Sequence, residues 1–231
     1  KLLDLLFFGK TADGMELIDG AEYHNGKQNI LLYAGTLIKN GITTAMMGIL
    51  ENTDTSQYNY LLTFYQRKVA ENRETVNRFG KDISYLPMPD GKPITYYEAV
   101  CQYLYFHFNW NFGFIRKAVR SISQRDVLRC FCGIPFHAAI HFTGYEKYFI
   151  HMVNAMNTRK IIYVHNDILK ESNYKSFVHY HSMMTAYNEF DKIVVVRESM
   201  RPEIKSYIPS APDNRIYTAH NLNNIDIIRS R

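Results

Sequence analysis

Apolar and polar positions alternate along this chain in blocks. Short runs rich in Ile, Leu, Val and Tyr are separated by longer amphipathic or charged segments. The runs Asn29 to Ala34, Asn59 to Tyr65, Ile83 to Leu86, Ala138 to Phe142, Lys160 to Val164, Lys192 to Val196 and Arg215 to Thr218 read as strands. The Ile-Val-Val-Val run inside Lys192 to Val196 is what a strand covered on both faces needs. Helices are predicted over Thr43 to Leu50, with Asn40 or Thr43 as cap, and over a charged, exposed Arg67 to Phe79. Further helices are predicted over Tyr96 to Phe108, Phe114 to Phe131 with a break near Ser121-Ile122-Ser123, Tyr145 to Asn154, and Tyr174 to Tyr187. A short one starts at Ser199 with Pro202 in its first turn. Thr95-x-x-Glu98 has capping-box spacing, and Pro87 to Pro93 is a turn cluster that stops the third strand. Strands alternating with helices predict an α/β fold, a Rossmann-like, doubly wound, mainly parallel sheet. Residues 1–28 read as an upstream appendage or linker, and 29–231 as the Rossmann-like domain.

Such a sheet gathers the downstream ends of its strands at one edge, where ligands bind. Five polar clusters follow strands. The first is the loop Gly35 to Thr44, in which Gly35, Asn40, Gly41, Thr43 and Thr44 allow close backbone approach and present a helix N-terminus to an anionic oxygen. It matches neither G-x-G-x-x-G nor G-x-x-x-x-G-K-[ST], which disfavours a nicotinamide dinucleotide and excludes a P-loop; an ordinary strand-to-helix turn is the simpler alternative. The second is Thr143-Gly144-Tyr145-Glu146, a hinge, a stacking ring and an acid. The third is His165-Asn166-Asp167, able to hydrogen-bond sugar hydroxyls, with the acid as a base or, alternatively, as a helix cap. The others are Arg197-Glu198-Ser199, where Arg197 suits a phosphate or a local ion pair, and His220-Asn221.

The apolar fraction, 46% of 231 residues, is enough for a sizeable core. A net charge of +5 tilts the chain toward anionic partners without any nucleic-acid motif. Arg116, Lys117, Arg120, Arg125 and Arg129 form a basic stripe beside an aromatic segment, which fits a membrane face or a phosphate-bearing, lipid-linked acceptor as well as a solvated helix face. The odd count of three cysteines and the lack of a signal peptide point to a reducing cytosol, and the basic stripe adds peripheral contact at the inner face of the plasma membrane as an expectation. Cys130-x-Cys132 reads as packing. No uncharged apolar stretch of ~18 residues occurs. His137 with His141, and His179 with His181, lack metal-ligand placement, so no metal is expected. A first residue other than Met and a last strand ending near the C-terminus read as cuts in a longer protein.

With those residues in place, the chain resembles the N-terminal half of a GT-B glycosyltransferase in the style of glycosyltransferase family 4. The glycine loop, Val164-His165-Asn166-Asp167, Asp191 to Ser199 and Arg215 to Asn221 stand in that family's order. Asn40-Gly41-Ile42-Thr43-Thr44, Tyr60 to Tyr65, His141 to Glu146 and Tyr163 to Asp167 are similar to sugar-transferase modules of teichoic-acid and capsule synthesis, some of them joined to CDP-glycerol glycerophosphotransferase domains. The chain departs from the family in having a single Gly41 where a glycine pair is usual, and it lacks the donor half with its paired glutamates. The resemblance implies an acceptor-side domain, inactive alone, that works on a nucleotide sugar and a glycan or phosphopolymer acceptor with no cofactor. It implies that His165 contacts the transferred sugar, that Gly41 lies near the donor phosphates, and that Tyr145 and Asp167 shape the acceptor site. The competing expectations are a non-catalytic polyanion-binding module of a polymerase and an unrelated Rossmann-type enzyme.

Overall fold

The computed structural model describes residues 25–79, 83–91, 94–174 and 180–221. Seven strands form one sheet: β1 (Gln28–Tyr33), β2 (Tyr58–Tyr65), β3 (Ile83–Met88), β4 (Ala138–His141), β5 (Arg159–Val164), β6 (Lys192–Val195) and β7 (Ile216–Thr218). Their order is β3-β2-β1-β4-β5-β6-β7, and every neighbouring pair is parallel. The helices are α1 (Gly41–Glu51), α2 (Gln66–Glu71), α3 (Arg73–Val76), α4 (Tyr96–Phe108), α5 (Gly113–Phe131), α6 (Lys147–Ala155), α7 (Ile168–Tyr174), α8 (Tyr180–Tyr187) and α9 (Arg201–Tyr207).

The two-residue repeat of β1 explains why helices must cover both faces. Leu31 and Tyr33 join a core with β4, β5, β6, α6, α8 and α9. Leu32 and the following Ala34 join a second core with Ala45, Met46, Met47 and Leu50 of α1, Val76 and Phe79. Leu31, Leu61, Ile162 and Ile193 are fully buried, and each contributes about 1.5–3 kcal/mol of apolar burial. A third cluster joins Cys101, Tyr105 and Phe106 of α4 to Ile115, Ala118 and Val119 of α5, making a helical hairpin. Among the described residues no helix is long and apolar enough to cross a membrane.

Several elements differ from expectation for identifiable reasons. The expected helix over Arg67 to Phe79 is split into α2 and α3: Thr75, Val76 and Phe79 are pulled into the core, and the Asn72 amide donates to Thr36 O and Lys68 O at the break. Strand β3 runs through Pro87 to Met88, because it is an edge strand and a missing N–H is tolerated there. Helix α5 is unbroken; Ser123 Oγ donates to Val119 O, a bond made within the helix. Helix α7 was not foreseen, and α8 covers Tyr180–Tyr187 of the span expected from Tyr174, residues 175–179 lying outside those described. A 3-10 turn at Glu198–Met200 precedes α9, and another at Asp213–Arg215 shortens β7 to three residues. Of the stretch 1–28, residues 1–24 lie outside the described residues; Gln28 already belongs to β1, and Asn25 is bonded to Asn59. Cys130 packs on the core, whereas Cys132 is exposed.

Candidate functional site

The chain turns from β1 toward β2 on one side and reaches β4 on the other, so the topological switch point lies between β1 and β4. At the end of β1 the backbone swings through Gly35 with φ +70°. A Cβ there would stand 2.5 Å from Thr143 Cγ2 and 3.4 Å from Glu146 Oε1, so glycine is what lets these two loops touch. Leu37, also at positive φ, is held by full burial of its side chain. Asn40 then caps α1, its Oδ1 accepting from Thr43 N at 2.9 Å. Thr43 Oγ1 donates to Ile38 O and Thr44 Oγ1 to Asn40 O, which leaves Gly41 exposed with open space around its Cα.

The exit of β4 supplies a buried polar knot. His141 is fully buried, and its Nδ1 accepts from Gly144 N at 3.0 Å, so the proton sits on Nε2, 3.8 Å from Glu146 Oε2. Burial pulls the His141 imidazole down to about 3, which keeps it neutral. The Thr143 hydroxyl donates to the Glu146 carboxylate. Burial raises the Glu146 pKa above the ordinary carboxylate value, against the opposing bond from Thr143. Its neighbours strip much of the water from this group, and 28% of its side-chain surface remains exposed. Gly144, with φ +82°, is pressed against Tyr163 O, where a Cβ would approach to 2.6 Å, and Tyr187 Oη donates to Gly144 O. Tyr33 stacks on Phe149 beneath His141.

At the end of β5, His165 Nε2 donates to Phe142 O at 2.8 Å, and Nδ1 has no hydrogen-bond partner among the described residues. Burial lowers this imidazole to about 4, so at neutral pH the ring is neutral and Nδ1 is a covered lone pair. Asn166 Nδ2 donates to Tyr145 Oη at 2.5 Å, tying the β4 and β5 loops together. Asp167 caps α7 by accepting from Lys170 N, and it pairs with Lys170 Nζ at 3.1 Å. Burial pushes its carboxyl up, but the hydrogen bonds from the Lys170 amide and Glu203, together with the Lys170 charge, outweigh it and hold the group at about 2.

Gly35, Gly144, Tyr145, Glu146, His165 and Asn166 are thus joined through the loops after β1, β4 and β5. The remaining candidates continue along the same edge. Arg197 is exposed, Glu198 pairs with Arg201 and accepts from Thr218 Oγ1, His220 is exposed, and Asn221 is half-buried. His141 was absent from the expected strand-end clusters, and Thr143 stood in one of them without a role of its own. The signal for them was a histidine closing a strand five residues before an acid, with a hydroxyl between. The basic stripe is partly spent: Glu98 holds Arg125, and Asp126 holds Arg129. Two open hollows lie at the opposite, amino-terminal edge, one beside Lys27, Pro135 and His137 and the other beside Thr158 and Asp191. The carboxyl edge is favoured over them because strand ends and backbone turns converge there.

No protein-family model matches the chain, and none of the curated proteins matches it. Among solved structures it is similar to UGT89C1 of Arabidopsis thaliana complexed with UDP, at 10% identity and a TM-score of 0.45, over 88% of this chain and 55% of that one. The same enzyme complexed with UDP-L-rhamnose gives 13% identity and a TM-score of 0.46, over 85% and 52%. A mutant O-GlcNAc transferase of Thermobaculum terrenum gives 8% and 0.29, over 88% and 46%. The chain therefore spans about half the length of these proteins, and likeness of this degree carries no functional inference.

Chemically, the switch point offers one largely desolvated carboxylate, a neutral imidazole buried behind it, and a glycine turn that admits backbone approach. Glu146, with its raised pKa, is the better proton acceptor at this edge; Asp167, held low and engaged on three sides, is the weaker one.

Proposed function

We propose that this chain is the acceptor-side half of a glycosyltransferase that moves a sugar from a nucleotide-sugar donor to a cell-surface polymer or lipid-linked acceptor, as in family 4-like enzymes of teichoic-acid or capsule synthesis. The observation that supports it most is Glu146, a desolvated carboxylate lodged between Thr143 and Gly35 at the β1/β4 switch point. In this reading the acceptor hydroxyl attacks the anomeric carbon and gives its proton to Glu146. The bond from that carbon to the nucleotide phosphate breaks, and its electron pair leaves with the phosphate. His165, its Nδ1 covered and its Nε2 on Phe142 O, braces the β4 exit behind the sugar site. Tyr145, fixed by Asn166, walls the acceptor side, while Asp167 positions its loop through α7. Gly41 and the open start of α1 face the donor phosphates, which the missing partner half carries.

The test is a panel of nucleotide sugars given to the intact protein that contains this chain, with nucleotide release as the readout. Turnover is expected with at least one donor, and Glu146→Gln is expected to lower kcat about 100-fold or more. Absence of any donor turnover, or an unchanged kcat in Glu146→Gln, would refute the assignment. Residues 1–231 alone are expected to give no transfer; robust transfer by them would disprove the division into halves.

A further inference from the structure

The α4–α5 hairpin turns an aromatic edge outward. Phe108, Trp110, Phe112 and Phe114 are 46–58% exposed, and they form a ladder of rings 5.9–6.2 Å apart that alternates with Asn109, Asn111 and Gly113. On α4 the positions Tyr96, Val100, Tyr103 and His107 repeat at helical spacing, and all four are exposed. So many clustered rings in water are costly, and they mark a contact surface. The charge around them selects the partner. Between Glu98 and Asp126 the chain has no acidic residue. Arg116, Lys117 and Arg120 are exposed on α5 just beyond the ladder and enter no ion pair among the described residues. The first turn of α5 carries no acid, so its helix dipole adds to the positive field.

We infer that this hairpin edge docks on an anionic lipid bilayer, with Phe108, Trp110, Phe112 and Phe114 entering the headgroup region and Arg116, Lys117 and Arg120 on lipid phosphates. Aromatic rings with polar neighbours settle at the membrane interface, and nearby cations bind the anionic surface. Arg125 ties the two helices together, gripping Glu98 with both terminal guanidinium nitrogens at the end away from the ring ladder. The hairpin also fixes where the crevice goes. Phe106 of α4 meets Tyr148 of α6, and Lys147 Nζ lies 4.7 Å from the Phe106 ring centre, one residue after Glu146. Docking therefore holds the carboxyl edge of the sheet near the lipid surface. The inference rests on the hairpin and stands apart from the sugar-transfer reading.

Trp110 is the only tryptophan in the chain, so its emission reports the ladder alone. The full chain is titrated with vesicles of phosphatidylcholine, and with vesicles of phosphatidylcholine plus phosphatidylglycerol carrying brominated acyl chains. With the anionic vesicles a blue shift and quenching are expected, weakened by salt; with the neutral vesicles partition is expected to be at least tenfold weaker. The triple variant Arg116→Gln, Lys117→Gln, Arg120→Gln is expected to lose about 100-fold in partition, roughly fivefold per cation, with unchanged circular dichroism. The inference falls if anionic vesicles leave Trp110 unquenched, or if neutral vesicles bind equally. It also falls if the emission shifts with protein concentration in the absence of lipid, the sign of a second copy on this face.

Discussion

At Gly35 the absence of one methyl group sets how closely the first and fourth strand ends approach. Gly35→Ala would place Cβ on Thr143 Cγ2 and force a left-handed φ on a residue that resists it, so a loss of about 2–3 kcal/mol is expected in urea unfolding. Thr143→Ser removes the offending methyl and keeps the hydroxyl on Glu146. In the Thr143→Ser background the same alanine is expected to cost only about 1 kcal/mol, the backbone share; strictly additive losses would show that the clash is not the cause. Glu146 gives a second test at this scale. Its folded pKa is raised, so the folded state binds the proton more tightly, and stability falls as pH rises from about 4.5 through the raised value. Glu146→Gln, which still accepts from Thr143, is expected to be more stable than the native chain at neutral pH and indistinguishable from it well below pH 4.5. A destabilised Gln variant at pH 7 would mean that the carboxylate is a structural anchor and not a desolvated functional group.

Among the elements, the α4–α5 hairpin shows what the sequence could and could not announce. Thr95 and Glu98 were readable as a capping box, and both of its bonds are present, Thr95 N to Glu98 Oε2 and Glu98 N to Thr95 Oγ1. That Arg125 returns from the next helix to the same carboxylate was not readable, because spacing within one helix says nothing of its neighbour. The hydrogen bond from Arg125, followed by that from the Thr95 backbone, holds Glu98 at about 2. A depressed carboxyl pKa means stabilisation that is complete above about pH 4.5 and is lost as pH falls toward 2. Arg125 is 43% exposed, so solvent limits the effect to about 1 kcal/mol. An acid titration followed by Trp110 emission is expected to show the hairpin loosening across that window, and Glu98→Gln is expected to flatten it; an unchanged profile would remove the clamp from the account. The strands were legible to within a residue or two, because alternation survives wherever one face is buried. Pro87 misled because edge position is a property of the sheet. The break at Asn72 was hidden because tertiary burial of Thr75 and Val76 overrode a helical pattern.

For the whole molecule the parallel order decides both site and stability. Polar clusters at strand ends could be read one by one, and the sheet gathers them; which ones touch depends on strand neighbours, so the Gly35–Thr143 approach and the knot of His141 under Glu146 emerged only from the order β1-β4. The same order predicts how the structure opens. Strands β1, β4 and β5 have paired strands on both sides and cores on both faces, whereas the hairpin holds a smaller cluster of its own and joins the main core through Phe131, Val127 and Cys130 at the end of α5. Local opening should therefore release the hairpin first, and only global unfolding should free the sheet centre. In hydrogen exchange the amides of Leu31, Ala139 and Ile162 are expected to be protected longest. Those of the core-facing Tyr105, Val119 and Ile122 should exchange sooner, by a factor that shrinks when mild denaturant brings global unfolding within reach. If the hairpin amides exchange at the same rate as β1 under all conditions, the domain opens as one unit, and the hairpin is not the separately responsive surface that its ring ladder and cations imply.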